Sequence, residues 1–281
     1  MSQYTDKISV EIFPPKKDVD FSGIFSVIDE LSLLNPEFIS VTYGAGGSQA
    51  GKTLETASYI QNEKHLPAIA HLTCVGNTKA DIDKVLFDLE KAGINRILAL
   101  RGDRPSTMTD EQFNSMEFAH ANELVSHIKN HNSNFKVYGA CYPEKHFESA
   151  TFEEDLLNLR QKIYAGCDEL ISQLFMDNSV FYRFLDRAPL AGINVPVHAG
   201  VMPVTSAKQI GTIISLSGTS IPKNFSDIVA RYSDNPEDLK KAGIDFAIKQ
   251  VRDLLDNGVD GVHLYSMNKP EVTKAIVEAC L

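Results

Sequence analysis

Glu11 stands inside the apolar segment ISVEIFPPK, where a carboxyl group could do acid–base chemistry. Burial strips a carboxylate of hydration and raises its pKa, so the group can hold a proton near neutral pH and act as a general acid. Paired with a lysine or with backbone donors, it would be structural instead. The segment LALRGDRP (98–105) puts Arg101, Gly102, Asp103 and Arg104 directly after an apolar run. An arginine there can clamp a phosphate, and an aspartate can orient an amide- or amidine-like heterocycle. A surface turn with a local ion pair would use the same residues. ACYPEKH (140–146) adds Tyr142 and His146, which can stack on or hydrogen-bond to a planar ligand, or simply sit in a solvated loop. His71 lies in PAIAHL, where a satisfied core histidine is the plainer reading.

Other motifs point to different chemistry. TYGAGGSQAGKT (42–53) matches the phosphate-loop pattern G-x-x-x-x-G-K-[ST], with Gly46, Gly51, Lys52 and Thr53 in register. A P-loop NTPase would set Lys52 on the β/γ-phosphates and Thr53 on Mg²⁺. Against that alternative, no later strand ends in a clear aspartate metal ligand without an intervening Arg-Gly. His127 and His131 lie four apart in HIKNH, but without the glutamate of H-E-x-x-H a solvated helix face is favoured and no metal site is expected. The fingerprint G-x-G-x-x-G is not convincingly present, so any flavin or nicotinamide would be bound by a non-Rossmann route.

Positioning these residues falls to an alternation of short apolar runs and longer stretches of helical periodicity. Strands are predicted at 7–12, 37–43, 67–72, 95–100, 135–140, 168–174, 195–200 and 260–265. Helices are predicted at 21–34, 50–64, 79–92, 116–131, 152–165, 178–191, 205–217, 237–257 and 269–280. KAGIN, YAGCD, LAGIN and DNGVD each place a glycine between a helix and the next strand, a common helix stop. Eight strand–helix units predict the α/β class and a (β/α)₈ TIM barrel, with 218–236 as an extra helical segment near the seventh repeat. With no linker-like segment, a single catalytic barrel domain over 1–281 is expected. Chemistry in this fold collects at the C-terminal strand ends. Those ends carry Glu11, Thr42, His71, Arg101 with Asp103, Tyr142 with His146, Gln173, and Tyr265 through Lys269.

The chain carries 37 acidic against 27 basic side chains, a net charge of −10, which argues against nucleic acid as a partner. Cys74, Cys141, Cys167 and Cys280 lack C-x-x-C spacing and fit a reducing compartment. No apolar stretch has the character of a signal peptide or a membrane span, so a cytoplasmic enzyme without a membrane partner is expected.

Taken in order, VEIFPPK, SVTYGAGG, AHLTC, ILALRGD, ACYPEKH, DLLNLRQKIYAGCDELISQLFMD, VHAGVMPV and LYSMNKPE resemble the catalytic barrel of the methylenetetrahydrofolate reductase family over nearly the whole chain. The resemblance implies FAD as cofactor, NADH or NADPH as electron donor and a folate substrate. It implies reduction of 5,10-methylenetetrahydrofolate to 5-methyltetrahydrofolate by hydride transfer through the flavin. The family's general acid falls on Glu11 and its strand-end aspartate on Asp103. Flavin-binding positions fall on Thr42, Tyr43, Ala45, His71, Arg101, Gly102, Asp103, Tyr142, His146, Asp155, Asn158 and Lys162. Folate contacts fall on Gln173, Gln209 and Lys269. Two positions depart from the family pattern: Lys269 stands where arginine is expected, losing bidentate geometry, and Ile213 stands where a ligand-packing phenylalanine is expected. A homo-oligomer is expected, as is a short form without the regulatory domain of longer eukaryotic relatives, which leans towards NADH. On this reading the phosphate-loop match is accidental: its glycines admit the cofactor to the backbone, and Lys52 begins a helix facing solvent.

Overall fold

The computed structural model describes residues 5–16, 18–43, 50–217 and 219–280. Eight strands close into a barrel in chain order, each parallel to its neighbours, with β8 returning to β1. They are β1 (Ile8–Ile12), β2 (Ile39–Val41), β3 (Ala68–Thr73), β4 (Arg96–Leu100), β5 (Lys136–Cys141), β6 (Glu169–Ser172), β7 (Val197–Val201) and β8 (Gly261–Tyr265). Parallel neighbours cannot be joined by tight turns, so every strand is followed by a crossover containing helix. The helices are α1 (Ser22–Ser32), α2 (Ala50–Ser58), α3 (Lys79–Lys91), α4 (Asp110–Asn114), α5 (Ala121–His131) and α6 (Phe152–Tyr164). They continue with α7 (Asn178–Arg187), α8 (Ala207–Ser217), α9 (Lys223–Tyr232), α10 (Pro236–Asp256) and α11 (Pro270–Cys280). None of the described helices is long and apolar enough to cross a membrane.

Side chains alternate between the two faces of each strand, and the pairing register carries that alternation around the barrel. Val10 pairs with Ile39 and Ile39 with Ala68, and these residues join the large apolar core shared with Ile28 and Leu31 of α1 and Leu86 of α3. The alternate set contains Ser9, Glu11, Ser40, Ile69, His71, Leu98, Tyr138, Ile171, His198, His263 and Tyr265. A strict apolar interior would leave no chemistry inside the barrel. Here the inner face is partly polar: Lys136 and Glu169 open β5 and β6, while Glu11 and His71 lie towards the far ends of β1 and β3.

All eight predicted strands are present, and the predicted insertion is α9. The four glycine stops hold positive φ: Gly93 +75°, Gly166 +110°, Gly192 +84° and Gly258 +74°. Two helix boundaries differ for physical reasons. The helix predicted from 116 starts at Ala121, because His120 is extended at the N-cap and Glu123 turns back to accept from the Ala119 N–H at 2.7 Å. The helix predicted over 178–191 ends at Arg187 and tightens into a 3₁₀ turn at Pro189–Ala191, where proline has no N–H to continue the α ladder. The short α4 was not foreseen; a Thr109–Gln112 capping box satisfies its first turn.

Candidate active site

Glu11 sits on the inner face of β1, in register with Ser40 of β2 and Tyr265 of β8. Its side chain is 13% exposed, and its Oε2 lies 3.5 Å from His71 Nε2 and 3.8 Å from His263 Nε2. Burial raises the pKa of Glu11, only partly opposed by His71. Burial also lowers His71 to about 4 and His263 to about 3, so both imidazoles are neutral at pH 7. A neutral histidine supplies no full positive charge, and the Glu11 carboxyl is therefore biased towards its protonated form. His263 is fixed by Ser9 Oγ at 2.8 Å on Nδ1 and Ser40 Oγ at 3.2 Å on Nε2. His71 Nε2, by contrast, has no hydrogen-bond partner among the described residues. Tyr265 donates to Ser172 O at 2.7 Å, and burial and the nearby Glu11 raise its phenol well above 10.

A cavity of about 480 Å³ lies at the ends of β4 and β5, walled by α5 and α6. Arg101 lines it and makes a bidentate pair with Glu148, 2.7 Å on each arm. Gly102 follows with φ +83°, its backbone so close to Thr73 that a β-carbon would lie 3.0 Å from Thr73 Cβ. Tyr142 and His146 meet edge-to-face at 4.6 Å on the cavity wall; burial raises Tyr142 to about 12 and lowers His146. Asp155 shapes the His146 loop by accepting from His146 N at 3.2 Å and from Ser149 Oγ at 3.0 Å. Lys162 reaches inward to donate to Ala140 O at 2.6 Å, and burial lowers its pKa. Asn158 completes this wall from an exposed position on α6.

Across the barrel mouth, Lys269 Nζ donates to Thr205 Oγ1 at 2.9 Å, while Gln209 Oε1 accepts from Thr205 N at 2.8 Å. Gln173 Oε1 accepts from Leu174 N at 2.8 Å, just beyond β6. A larger groove of about 720 Å³ runs outside the barrel past Lys79, His127 and Tyr164, and none of the strand-end residues lines it.

A family model for methylenetetrahydrofolate reductase matches residues 1–280. The chain belongs to the methylenetetrahydrofolate reductase family. It is 34% identical over 269 residues to the 5,10-methylenetetrahydrofolate reductase of Escherichia coli K12, covering 96% of this chain and 88% of that one. To methylenetetrahydrofolate reductase (NADH) 1 of Arabidopsis thaliana it is 35% identical over 272 residues, covering 92% of this chain and 46% of the relative. The chain thus spans about half the length of the plant reductase. An uncharacterized protein from Clostridium thermocellum, described as binding two copies of 5-methyl-5,6,7,8-tetrahydrofolic acid, superposes with a TM-score of 0.64 at 15% identity, over 98% of this chain and 93% of that one. That likeness shows the barrel fold.

The site positions expected from the sequence resemblance fall in separate places. Arg101, Tyr142, His146, Asp155, Asn158 and Lys162 share the cavity. Glu11 and His71 meet inside the barrel mouth, and Gln209 and Lys269 converge on Thr205. Thr42 and Tyr43 follow β2, where the Tyr43 hydroxyl donates to Asn77 Oδ1 at 3.3 Å. Asp103 is exposed and lies outside the cavity lining. Ala45 falls outside the described residues. Ile213 is buried in an apolar cluster with Met176, Val204 and Phe225.

The P-loop alternative is not supported. The sheet is a closed barrel; Thr53 Oγ1 donates to Thr42 O at 3.0 Å; and Lys52 Nζ donates to Lys16 O and, at 2.9 Å, to Val19 O. Gly51 lies within α2, and Gly46 falls outside the described residues. Lys52 is half-buried and clasps the loop after β1, rather than facing solvent as expected. His127 and His131 are paired with Asp83 and Glu90 across α3. Sequence reasoning missed Glu148 and His120 in the cavity wall, and it missed His263 beside Glu11. Glu148 lies only two residues beyond His146, but nothing local marks it as the partner of Arg101.

Proposed function

We propose that this chain reduces 5,10-methylenetetrahydrofolate to 5-methyltetrahydrofolate with NADH or NADPH as reductant and FAD as carrier. The observation that carries the reading is Glu11, a desolvated carboxyl held beside a neutral histidine at the end of β1. The neighbouring residues fit a flavin nucleotide. The cavity is within the usual size of cofactor pockets, and Arg101 brings a fixed guanidinium to it. Gly102 keeps a side chain out of the close approach between the loop and Thr73, and the buried Nε2 of His71 is free to meet a polar ligand atom. Thr42, Tyr43, His71, Arg101, Gly102, Tyr142, His146, Asp155, Asn158 and Lys162 would hold the FAD.

Bound FAD would supply a two-electron carrier that takes hydride from the nicotinamide and passes it to folate. Glu11 would give its proton to the folate nitrogen whose departure opens the five-membered ring. The remaining iminium carbon takes the hydride and becomes the methyl group, so the overall reaction consumes one reduced nicotinamide and one proton. Asp103 and Gln173 would orient the pterin, and Gln209 and Lys269 would draw the folate tail towards Thr205. Thr42 would meet the nicotinamide donor. The plant relative's name favours NADH as donor.

The visible spectrum of the purified or FAD-reconstituted protein tests this reading. Flavin bands that bleach under anaerobic NADH or NADPH and return on adding 5,10-methylenetetrahydrofolate are expected. A protein that neither holds FAD nor re-oxidises with the folate overturns it.

A further inference from the structure

Two consecutive residues that carry β-carbons, Met267 and Asn268, adopt left-handed backbone conformations, with φ +53° and +55°. Such backbone is uncommon outside glycine and costs energy that surrounding contacts must supply. It occurs immediately after β8, in the turn that faces the exit of β1. There the Asn268 amide bridges the Phe13 backbone on both sides: Oδ1 accepts from Phe13 N at 2.8 Å, and Nδ2 donates to Phe13 O at 3.0 Å. Ser266 Oγ donates to Glu11 O at 2.5 Å, and Ser266 N donates to the same carbonyl at 3.3 Å.

The arrangement follows from a shortage of strand. β8 ends at Tyr265, opposite Glu11, so Phe13 has no β8 residue to complete the parallel ladder. Pro14 and Pro15 follow, and neither has an N–H with which to secure the chain. The carboxamide of Asn268 presents one donor and one acceptor in the pattern of a peptide group, and so extends the ladder by one rung. On the other side of β1, Thr42 N donates to Ile12 O at 3.0 Å. The end of β1 is therefore held from both sides, at Glu11 O by Ser266 and at Ile12 O by Thr42. The same turn sends Lys269 N back to Ser266 O at 3.0 Å, fixing the start of α11 from which Lys269 reaches Thr205.

We propose that Asn268 is a positioning residue for Glu11. Its amide substitutes for a missing strand and holds the acid between His71 and His263 at the mouth of the barrel. Without that rung the end of β1 loosens at Phe13, already 39% exposed, and the carboxyl swings towards water. The inference rests on Glu11 being the acid of the proposed reaction, but its physical core is that Asn268 controls where that carboxyl sits.

Asn268→Gly tests it, because glycine accepts the left-handed backbone while removing both hydrogen bonds. Asn268→Asp retains the acceptor and a side chain tolerant of that backbone, and serves as the partial rescue. In the FAD-loaded enzyme, anaerobic stopped-flow separates flavin reduction by NADH from flavin re-oxidation by the folate. In the apoprotein, ¹³C-carboxyl NMR, assigned with Glu11→Gln, follows the Glu11 titration directly. Asn268→Gly is expected to slow re-oxidation about 10- to 100-fold, as losses of supporting hydrogen bonds around a reactive group do. Flavin reduction should stay within about twofold. The Glu11 midpoint should fall towards the ordinary carboxylate value. Asn268→Asp should recover part of both changes. An unchanged Glu11 titration with unchanged re-oxidation overturns the proposal, as does an equal loss in both half-reactions with no movement of Glu11. Should the wild-type protein fail to reduce the folate at all, the proposed function falls. The NMR titration then still decides for or against Asn268, according to whether Glu11 moves.

Discussion

Replacing Gly102 by alanine puts a number on the loop that brings Arg101 to the cavity. At φ +83° an L-residue is strained by about 1–2 kcal/mol. The new methyl would also meet Thr73 Cβ at 3.0 Å, Thr73 Cγ2 at 3.2 Å and Val75 Cβ at 3.4 Å. Thr73 Cβ is fixed to the end of β3 and cannot swing aside, so overpacking adds about 1–3 kcal/mol. A total of about 3 kcal/mol is a large fraction of a normal folding stability. Gly93 is the control: its φ is +75°, yet nothing lies within 4 Å of the point where a β-carbon would stand, so Gly93→Ala should lose only the strain, about 1–2 kcal/mol. Urea denaturation of the two apoproteins should show the larger fall in midpoint for Gly102→Ala with similar slopes. Fluorescence titration with FAD should show about tenfold or greater weakening for Gly102→Ala, because relief of the contact displaces Arg101, and no change for Gly93→Ala. Equal destabilisation of the two variants would refute the argument from close contact. Native FAD affinity in Gly102→Ala would refute the role given to the loop.

Lys52→Ala should lower stability by about 1–3 kcal/mol through loss of the charged hydrogen bonds to Lys16 O and Val19 O, with turnover kept within a few fold; abolished activity would revive a phosphate-loop role. Stability should also depend on pH through His71. Its pKa is 6.5 when unfolded and about 4 when folded, so between those values the unfolded chain binds more protons and stability falls as pH is lowered. The full shift corresponds to about 3 kcal/mol, absent above pH 6.5 and complete below pH 4. Urea midpoints measured from pH 7.5 to 4 should fall less steeply for His71→Phe than for wild type; parallel curves would contradict the burial of a neutral imidazole. Glu11 acts with the opposite sign. Its raised pKa means that the folded state holds a proton which the unfolded chain has released, so this contribution is lost as pH rises through the folded value.

The barrel was legible because its signals are local and repeated. NRILAL and DGVHLY are apolar runs of strand length, and the glycines of KAGIN and DNGVD mark helix stops with backbone conformations that disfavour other residues. Strand ends then collect Glu11, His71, Arg101 and Tyr142 without any knowledge of contacts. What the order of residues hides is which side chains meet across the barrel. His263 is nearly the whole chain away from Glu11 in sequence, and only the β1–β8 closure brings it within 3.8 Å of that carboxyl. Glu148 and Arg101 pair because two separate strand-to-helix loops converge. The start of α5 was misplaced because periodicity continues backwards through Phe118, while the backbone breaks at an extended N-cap. Lys52 misled in both directions: its motif suggested phosphate and its helix suggested solvent, whereas two carbonyls of the loop after β1 claim its ammonium group.

The half-reactions of Glu11→Gln, measured by anaerobic stopped-flow on FAD-loaded protein, bear most directly on the account. Glutamine keeps the shape and size of the side chain but has no acidic proton to give. Flavin reduction by NADH should stay within a few fold of wild type, while re-oxidation by 5,10-methylenetetrahydrofolate should slow by about 10²- to 10⁴-fold, the range expected when a general acid is removed. Equal loss of both half-reactions, or folate reduction at the wild-type rate, would contradict the assignment of Glu11 as the acid.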